Sequence, residues 1–211
     1  MRGILESAGR RFARLTTQVV VSRPALWGVF RGLMRRQFDS LAQSWESRIG
    51  AEGLVPLEAA LARVTEAPRK ALDLGTGTGK AARAVARRFP DTEVVGVDLS
   101  PEMIEQARRL LPDELAGRVS FAVADGAKLP FPDGAFDLVV LQNAFPFFSE
   151  LGRVTAPGGR AIFAYSFGDD TPIWVPPETL RARLGEVGFH EFEELSAGEG
   201  AALLAARGKP G

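Results

Sequence analysis

From Leu26 onward the large apolar side chains near the N-terminus fall at Leu26, Phe30, Leu33, Phe38, Leu41, Trp45 and Ile49, in steps of three, four or five. At 3.6 residues per turn this spacing keeps to roughly one face, so it predicts an amphipathic helix. Ser22 and Pro24 stand where its cap and first turn belong. Leu57, Leu61 and Val64 predict a second, shorter helix over about 56–66, and residues 1–66 as a whole read as helical.

The pattern changes at residue 70. Short apolar runs predict strands at Lys70–Leu74, Glu93–Asp98, Val119–Ala124, Phe136–Gln142 and Arg160–Tyr165. Helical spacing separates them at Lys80–Phe89 and Pro101–Leu111, the latter opened by Ser100 as cap and Pro101 in the first turn, with a short piece near Ser149–Thr155. Pro177–Val187 predicts a further helix closed by Gly188. Two last strands are expected at about 189–196 and 201–207, joined by "SAGEG" as an antiparallel hairpin. Strands alternating with helices imply an α/β fold with a mostly parallel sheet covered on both faces. The expected organisation is a helical segment, 1–66, ahead of an α/β domain, 67–211.

Charge adds a polarity to this picture. The 211 residues carry 26 basic and 26 acidic side chains, but residues 1–36 hold eight arginines and a single acid, Glu6. The rest of the chain therefore has a net charge of −7, an acidic body behind a basic arm. There is no cysteine and one histidine, His190, which excludes thiolate metal sites, disulfides and cysteine nucleophiles, and no metal is expected. No apolar run approaches the roughly 20 residues of a spanning helix, and no signal-like core opens the chain, so a cytoplasmic protein is the simplest expectation.

The candidate chemistry centres on "ALDLGTGTGK", residues 71–80. A triphosphate loop requires glycine where Leu74 stands and Ser or Thr where Ala81 stands, so that reading fails twice. The dinucleotide pattern needs a third glycine at Lys80 and fails once. What remains is an acid, Asp73, at a strand end, followed by glycines at 75, 77 and 79. A carboxylate there disfavours phosphate and suits a cationic ligand.

At this point the sequence resembles the class I S-adenosylmethionine-dependent methyltransferases, whose first motif has the form D/E-x-G-x-G-x-G. "VVGVDLSPEMIEQAR" is similar to their second motif, "VADGAKLPFPDGAFDLVV" to the third and fourth, and "APGGRAIFA" to the turn entering the fifth strand. The resemblance covers about residues 68–167, closest to small-molecule and quinone-methyltransferase-like members. It implies a Rossmann-like, seven-stranded sheet with an antiparallel last strand, S-adenosylmethionine as cofactor, and a donor site made from Asp73, Gly75, Thr76, Gly77, Gly79, Asp98, Leu99, Asp125, Gly126, Ala127 and Asn143. Within that set it implies that Asp98 binds the ribose hydroxyls and Asp125 the adenine amino group. Asn143 would lie near the transferred methyl, with a plain turn asparagine as the competing reading.

Two departures shape the functional expectation. Asn143 is followed by "AFPFF" and not by the Asn-Pro-Pro-aromatic signature of amide and nucleobase methyltransferases, so no nucleic-acid partner is expected. The segment between the fourth strand and "APGG" is short, so the N-terminal helices are expected to complete an acceptor pocket; Phe145, Phe147, Phe148 and Trp174 are candidates for its wall, with ordinary core packing as the competing reading. A small, apolar or aromatic acceptor is expected, no catalytic base can be named, and His190 reads as structural. The arginine-rich N-terminus reads either as a solvated helix face or, from the mixture of Trp, Phe and Leu with arginine in "VVVSRPALWGVFRGLMRRQF", as a peripheral contact with a membrane surface. The rival readings are a non-catalytic donor-binding partner and a nucleotide-dependent oxidoreductase.

Overall fold

The computed structural model describes residues 2–48 and 50–209. Ile49, the last member of the expected apolar stripe, lies outside them, as do the outermost residues of the chain. The N-terminal arm is a helical hairpin, α1 (Arg2–Ser22) and α2 (Trp27–Arg48), with a single 3-10 turn at Pro24–Leu26 between them. Proline supplies no N–H to continue α1, and Arg23 at φ −142° breaks the helix. Ser22 is not the cap expected of it: its hydroxyl donates back to the carbonyl of Gln18 inside α1.

The stripe of α2 that turns inward keeps Phe30, Phe38 and Trp45 of the expected set, but Trp27, Met34 and Ala42 replace the residues just before them as its buried members. Trp27, Met34 and Ala42 are buried, while Leu26 and Leu33 are 42% and 54% exposed. Periodicity alone permits two overlapping stripes one residue apart. The partner surface selects between them, and here the larger contact is made by Trp27, which packs on Phe145 and Phe147 with ring centroids 5.8 and 5.1 Å away.

A second 3-10 turn leads into α3 (Val55–Ala62), which ends earlier than the expected 66. Then come β1 (Lys70–Leu74), α4 (Lys80–Arg88), β2 (Glu93–Asp98), α5 (Pro101–Arg109), β3 (Val119–Val123), β4 (Phe136–Gln142), α6 (Phe148–Val154), β5 (Thr155–Tyr165), α7 (Pro177–Gly185), β6 (Phe189–Ala197) and β7 (Gly200–Arg207). They form a Rossmann-like seven-stranded sheet in the order β3-β2-β1-β4-β5-β7-β6. Only β7 runs against its neighbours, pairing antiparallel with both β5 and β6. Strand β5 begins five residues before the expected Arg160: Thr155 already pairs with Phe136, and a register shift absorbs the Pro-Gly-Gly turn before Arg160 meets Leu138.

Alternation along the strands divides the core. Ala71, Leu138 and Val140 join Leu57, Leu61, Val85 and Ile104 under one helical layer. Leu72, Val139 and Leu141 join Leu151, Phe163 and Leu184 under the other. The order reverses at β1: β2 and β3 lie to one side and β4 to the other. The carboxyl ends of β1 and β4 therefore open a crevice, the place where such sheets take ligands.

Candidate active site

The residues after β1 make the floor of that crevice. Gly75, Gly77 and Gly79 have φ of +75°, +52° and +82°, a region that side chains disfavour. The loop also leaves no room: a Cβ on Gly75 would stand 2.6 Å from the Ala144 Cβ, and one on Gly79 2.6 Å from the Phe121 ring. The amides of Gly75 and Thr76 both donate to the Val97 carbonyl at 2.9 Å, pinning the loop to β2.

Asp73 lies beneath the loop, fully buried. Its Oδ2 accepts from the Thr76 hydroxyl at 2.5 Å and from the Ala82 amide at 2.9 Å, so it holds the loop to the first turn of α4 and does not line the crevice. Oδ1 has no hydrogen-bond partner. Burial pushes this carboxyl up to about 7, against the lowering effect of its two donors.

Asp98, at the end of β2, does line the crevice. Its Oδ2 accepts from the Gly77 amide and its Oδ1 from the Ser100 amide, each at 2.9 Å. Each oxygen, having taken one backbone N–H, retains acceptor capacity, the requirement for gripping a vicinal diol. Desolvation raises its pKa to about 6 despite these amides. Thr76, Leu99 and Gly126 line the same space. At Gly126 a Cβ would collide with the Phe147 ring at 2.7 Å, so glycine there permits that aromatic wall.

Asp125 and Ala127 stand just outside the lining. The Asp125 Oδ1 accepts from the Trp27 indole at 2.8 Å and from the Ala127 amide at 3.0 Å, while Arg31 reaches Oδ2 at 3.2 Å. Asn143 sits at the tip of β4 with φ +51°, the positive-φ non-glycine among the described residues. Its side chain is tied to the end of β5, its Oδ1 accepting from the Ser166 amide at 3.0 Å and its Nδ2 donating to the Ser166 hydroxyl at 2.7 Å. Beside it, Gln142 donates to Ser166 and to the Gly53 carbonyl, leaving a buried Oε1 without a hydrogen bond at the crevice.

Helix α2 crosses the opening from end to end. Trp27 sits over Phe145 and Phe147, and Asp39 accepts from the Ser100 hydroxyl at 2.5 Å. The Trp45 indole nitrogen lies 3.1 Å from where a Gly77 Cβ would be. Glu46 accepts from the Thr78 hydroxyl at 2.6 Å and from Arg83 at 2.9 Å, and its carbonyl accepts from Lys80 at 2.8 Å. A cavity of about 90 Å³ remains between helix and loop. Of the expected aromatic wall, Phe145 and Phe147 face it; Phe148 is packed in the core and Trp174 against Tyr165, because α6 and the segment before α7 turn those rings to the sheet. His190 is exposed on the edge strand β6. Among the described residues no group of acids and histidine could hold a metal.

The sequence and the fold have counterparts among proteins named as methyltransferases. Residues 71–159 match the family model described as "Methyltransferase domain". This segment is similar to a methyltransferase domain. The domain shares 47% identity over 105 residues with a demethylmenaquinone methyltransferase of Thermus thermophilus, covering 46% of this chain and 47% of that protein. A malonyl-[acyl-carrier protein] O-methyltransferase of Halorhodospira halophila is 37% identical over 177 residues, 78% of this chain and 57% of its own length. A trans-aconitate 2-methyltransferase of Methylobacterium radiotolerans is 40% identical over 121 residues, 54% and 44%. The chain thus spans about half the length of the curated relatives it matches. The fold of the methyltransferase domain also recurs in phosphoethanolamine N-methyltransferase 2 of Haemonchus contortus in complex with S-adenosyl-L-methionine, with TM-score 0.66 and 19% identity over 86% of this chain and 60% of that one. It recurs again in the complex of the Haloferax volcanii Trm112 activator with a methyltransferase, with TM-score 0.64 and 23% identity over 81% and 97%.

Proposed function

We propose that this protein transfers a methyl group from S-adenosylmethionine to a small, apolar or aromatic acceptor, with residues 1–66 covering the acceptor side of the donor crevice. The observation that carries this reading is the convergence, at the β1/β4 switch point, of a tightly pinned glycine loop without side chains and the Asp98 carboxylate with an aromatic ceiling. When bound, the donor supplies an activated methyl on a sulfonium. The residues of this chain then have to hold and align. Asp98 accepts the ribose hydroxyls, the loop at Gly75–Gly79 leaves space for the donor's chain, and Gly126 keeps the adenine side open. Asp73 fixes the loop from below, and Asn143, locked to Ser166, sets the end of β4 toward the reacting methyl. Alignment of this kind can supply much of the acceleration of an in-line displacement without a general base.

The acceptor class rests on the lining. Trp27, Phe38, Trp45, Leu54, Phe145 and Phe147 surround the space beyond the loop, and the cations nearest to it, Lys80 and Arg83, are engaged with Glu46. Such a wall favours a flat apolar ring over a di- or tricarboxylate. Three relatives act, by their names, on a demethylmenaquinone, a malonyl-carrier protein and an aconitate, so the relatives alone select no acceptor.

Titration calorimetry with S-adenosylhomocysteine tests the donor site. Replacing Asp98 by Ala should weaken binding by about 1.5–3 kcal/mol, the worth of hydrogen bonds to a charged group. Unchanged affinity would remove Asp98 from the site. Transfer of label from S-adenosylmethionine to quinol-like and phenolic acceptors, set against di- and tricarboxylates, tests the acceptor. Donor binding with no labelled product in a cell extract would instead support a binding protein without catalysis.

A further inference from the structure

Helix α2 has two apolar faces. The inner one roofs the crevice; the outer one is exposed among the described residues. Val29 is 71% exposed and Leu33 54%, with Leu26 just ahead of them at 42%, and α1 adds Leu15 at 51%. Val29, Leu33 and Arg36 follow at steps of four and three and so share one side of α2. The neighbouring positions confirm that this side is open, since a Cβ added at Gly28 or Gly32 would find no atom within 4 Å. Half of the eight large apolar residues exposed on the described molecule are gathered in this one hairpin.

Arginines surround the apolar row. Arg11 lies one turn from Leu15 on α1, Arg23 stands in the connection beside Leu26, and Arg35 and Arg36 follow Leu33; all four are exposed. Arg10 and Arg14, by contrast, donate to the carbonyls of Asp170 and Asp169 and fasten α1 to the body. The hairpin therefore presents apolar knobs with cationic flanks, fastened through α1 to the body, and the remainder of the chain carries a net negative charge.

We propose that the outer face of the α1–α2 hairpin docks on the surface of an anionic lipid bilayer, with Leu15, Leu26, Val29 and Leu33 entering the headgroup boundary and Arg11, Arg23, Arg35 and Arg36 pairing with lipid phosphates. Charge complementarity selects this occupant. An anionic surface attracts the arm and repels the body, which fixes the orientation. A nucleic-acid backbone would satisfy the arginines but leave the aliphatic row against phosphate and water, and a symmetric pairing of two copies through this face would set arginines against arginines. A bilayer takes both the knobs and the cations. Docked in this way, α2 has lipid on one side and the crevice on the other, which gives an acceptor dissolved in the bilayer a short path to the aromatic pocket.

Co-sedimentation of the full chain with vesicles of equal parts phosphatidylglycerol and phosphatidylcholine, and with vesicles of phosphatidylcholine alone, tests the proposal without donor or acceptor. Its outcome is therefore independent of the methyl-transfer reading, and a failure of either leaves the other in place. The wild type should bind the anionic vesicles at least about tenfold more tightly than the neutral ones. The double variant Val29→Ser/Leu33→Ser keeps every charge and alters only exposed side chains; it should lose about tenfold of that binding while its circular dichroism spectrum and its affinity for S-adenosylhomocysteine stay unchanged. Arg11→Gln/Arg36→Gln should reduce the preference for anionic over neutral vesicles. A wild type that stays in the supernatant with both vesicles overturns the proposal. So does anionic binding that the serine variant leaves intact, which would instead identify a purely electrostatic face for an acidic partner protein.

Discussion

Two carboxyls at neighbouring strand ends, Asp73 fully buried and Asp98 half-buried, are displaced upward for the same reason, loss of water, but they do different work. Asp98 at about 6 must be ionised to accept two hydroxyls, so donor affinity should fall as pH drops through that value. Between pH 8 and pH 5 a loss of about tenfold in S-adenosylhomocysteine affinity is expected by calorimetry, and Asp98→Asn should flatten the profile at a lower affinity. Asp73, raised to about 7, acts on stability. A carboxyl whose folded pKa exceeds its unfolded one binds the proton more tightly in the folded state. Its contribution is complete below the unfolded value near 3.8 and is lost as pH rises through about 7. Urea unfolding of the ligand-free protein should therefore show stability declining from pH 5 to pH 8, with a clearly smaller slope in Asp73→Asn, whose amide oxygen can keep the Thr76 and Ala82 contacts. At Gly77 the φ of +52° and the Trp45 indole 3.1 Å from a Cβ act together. Gly77→Ala should cost about 1–3 kcal/mol of stability and weaken donor binding besides. The glycine loop was legible from spacing, and the place of Asp98 at the second strand end from the family resemblance. That Asp73 braces the loop and does not line the crevice was not, because both sides of a strand end look alike until the following helix is placed.

The element that decides access is α2. It is held at one end by the Trp27 indole on Asp125, in the middle by Asp39 on Ser100, and at the other end by Glu46 on Thr78 and Arg83. The crevice volume of about 90 Å³ is well below the roughly 300 Å³ at which sites for ligands of this size begin, so movement of the helix is expected on entry of the donor. Weakening one anchor should ease that motion. Glu46→Gln is expected to raise the association rate of S-adenosylhomocysteine by roughly threefold to tenfold in stopped-flow tryptophan fluorescence, Trp45 being the nearby reporter. An unchanged rate would mean that the crevice opens elsewhere. Trp27→Phe removes a hydrogen bond to a carboxylate while keeping most of the packing. It should speed limited proteolysis within residues 9–48 and leave the sheet's unfolding transition nearly in place. None of these anchors has a signature in the chain. Trp27 and Asp125 are 98 residues apart, and only the fold makes them partners.

At the scale of the molecule, an acidic Rossmann-like body carries a basic hairpin across its ligand edge, and no helix among the described residues is long and apolar enough to cross a membrane. The alternation of short apolar runs with helical spacing determined the class of sheet, because a strand buried on both faces and a helix buried on one leave different periods in the sequence. The same local chemistry determined the glycine loop, because positive φ admits glycine almost alone, and the family resemblance placed the acid at the second strand end. Tertiary structure alone decided that Trp27 and Met34, and not Leu26 and Leu33, join the inward face of α2, which aromatic rings wall the crevice, and that Asp125 is taken by an indole from the arm. Those outcomes depend on contacts between residues distant in the chain, where two helical faces one residue apart are nearly equivalent in pattern and differ only in the surface each one meets.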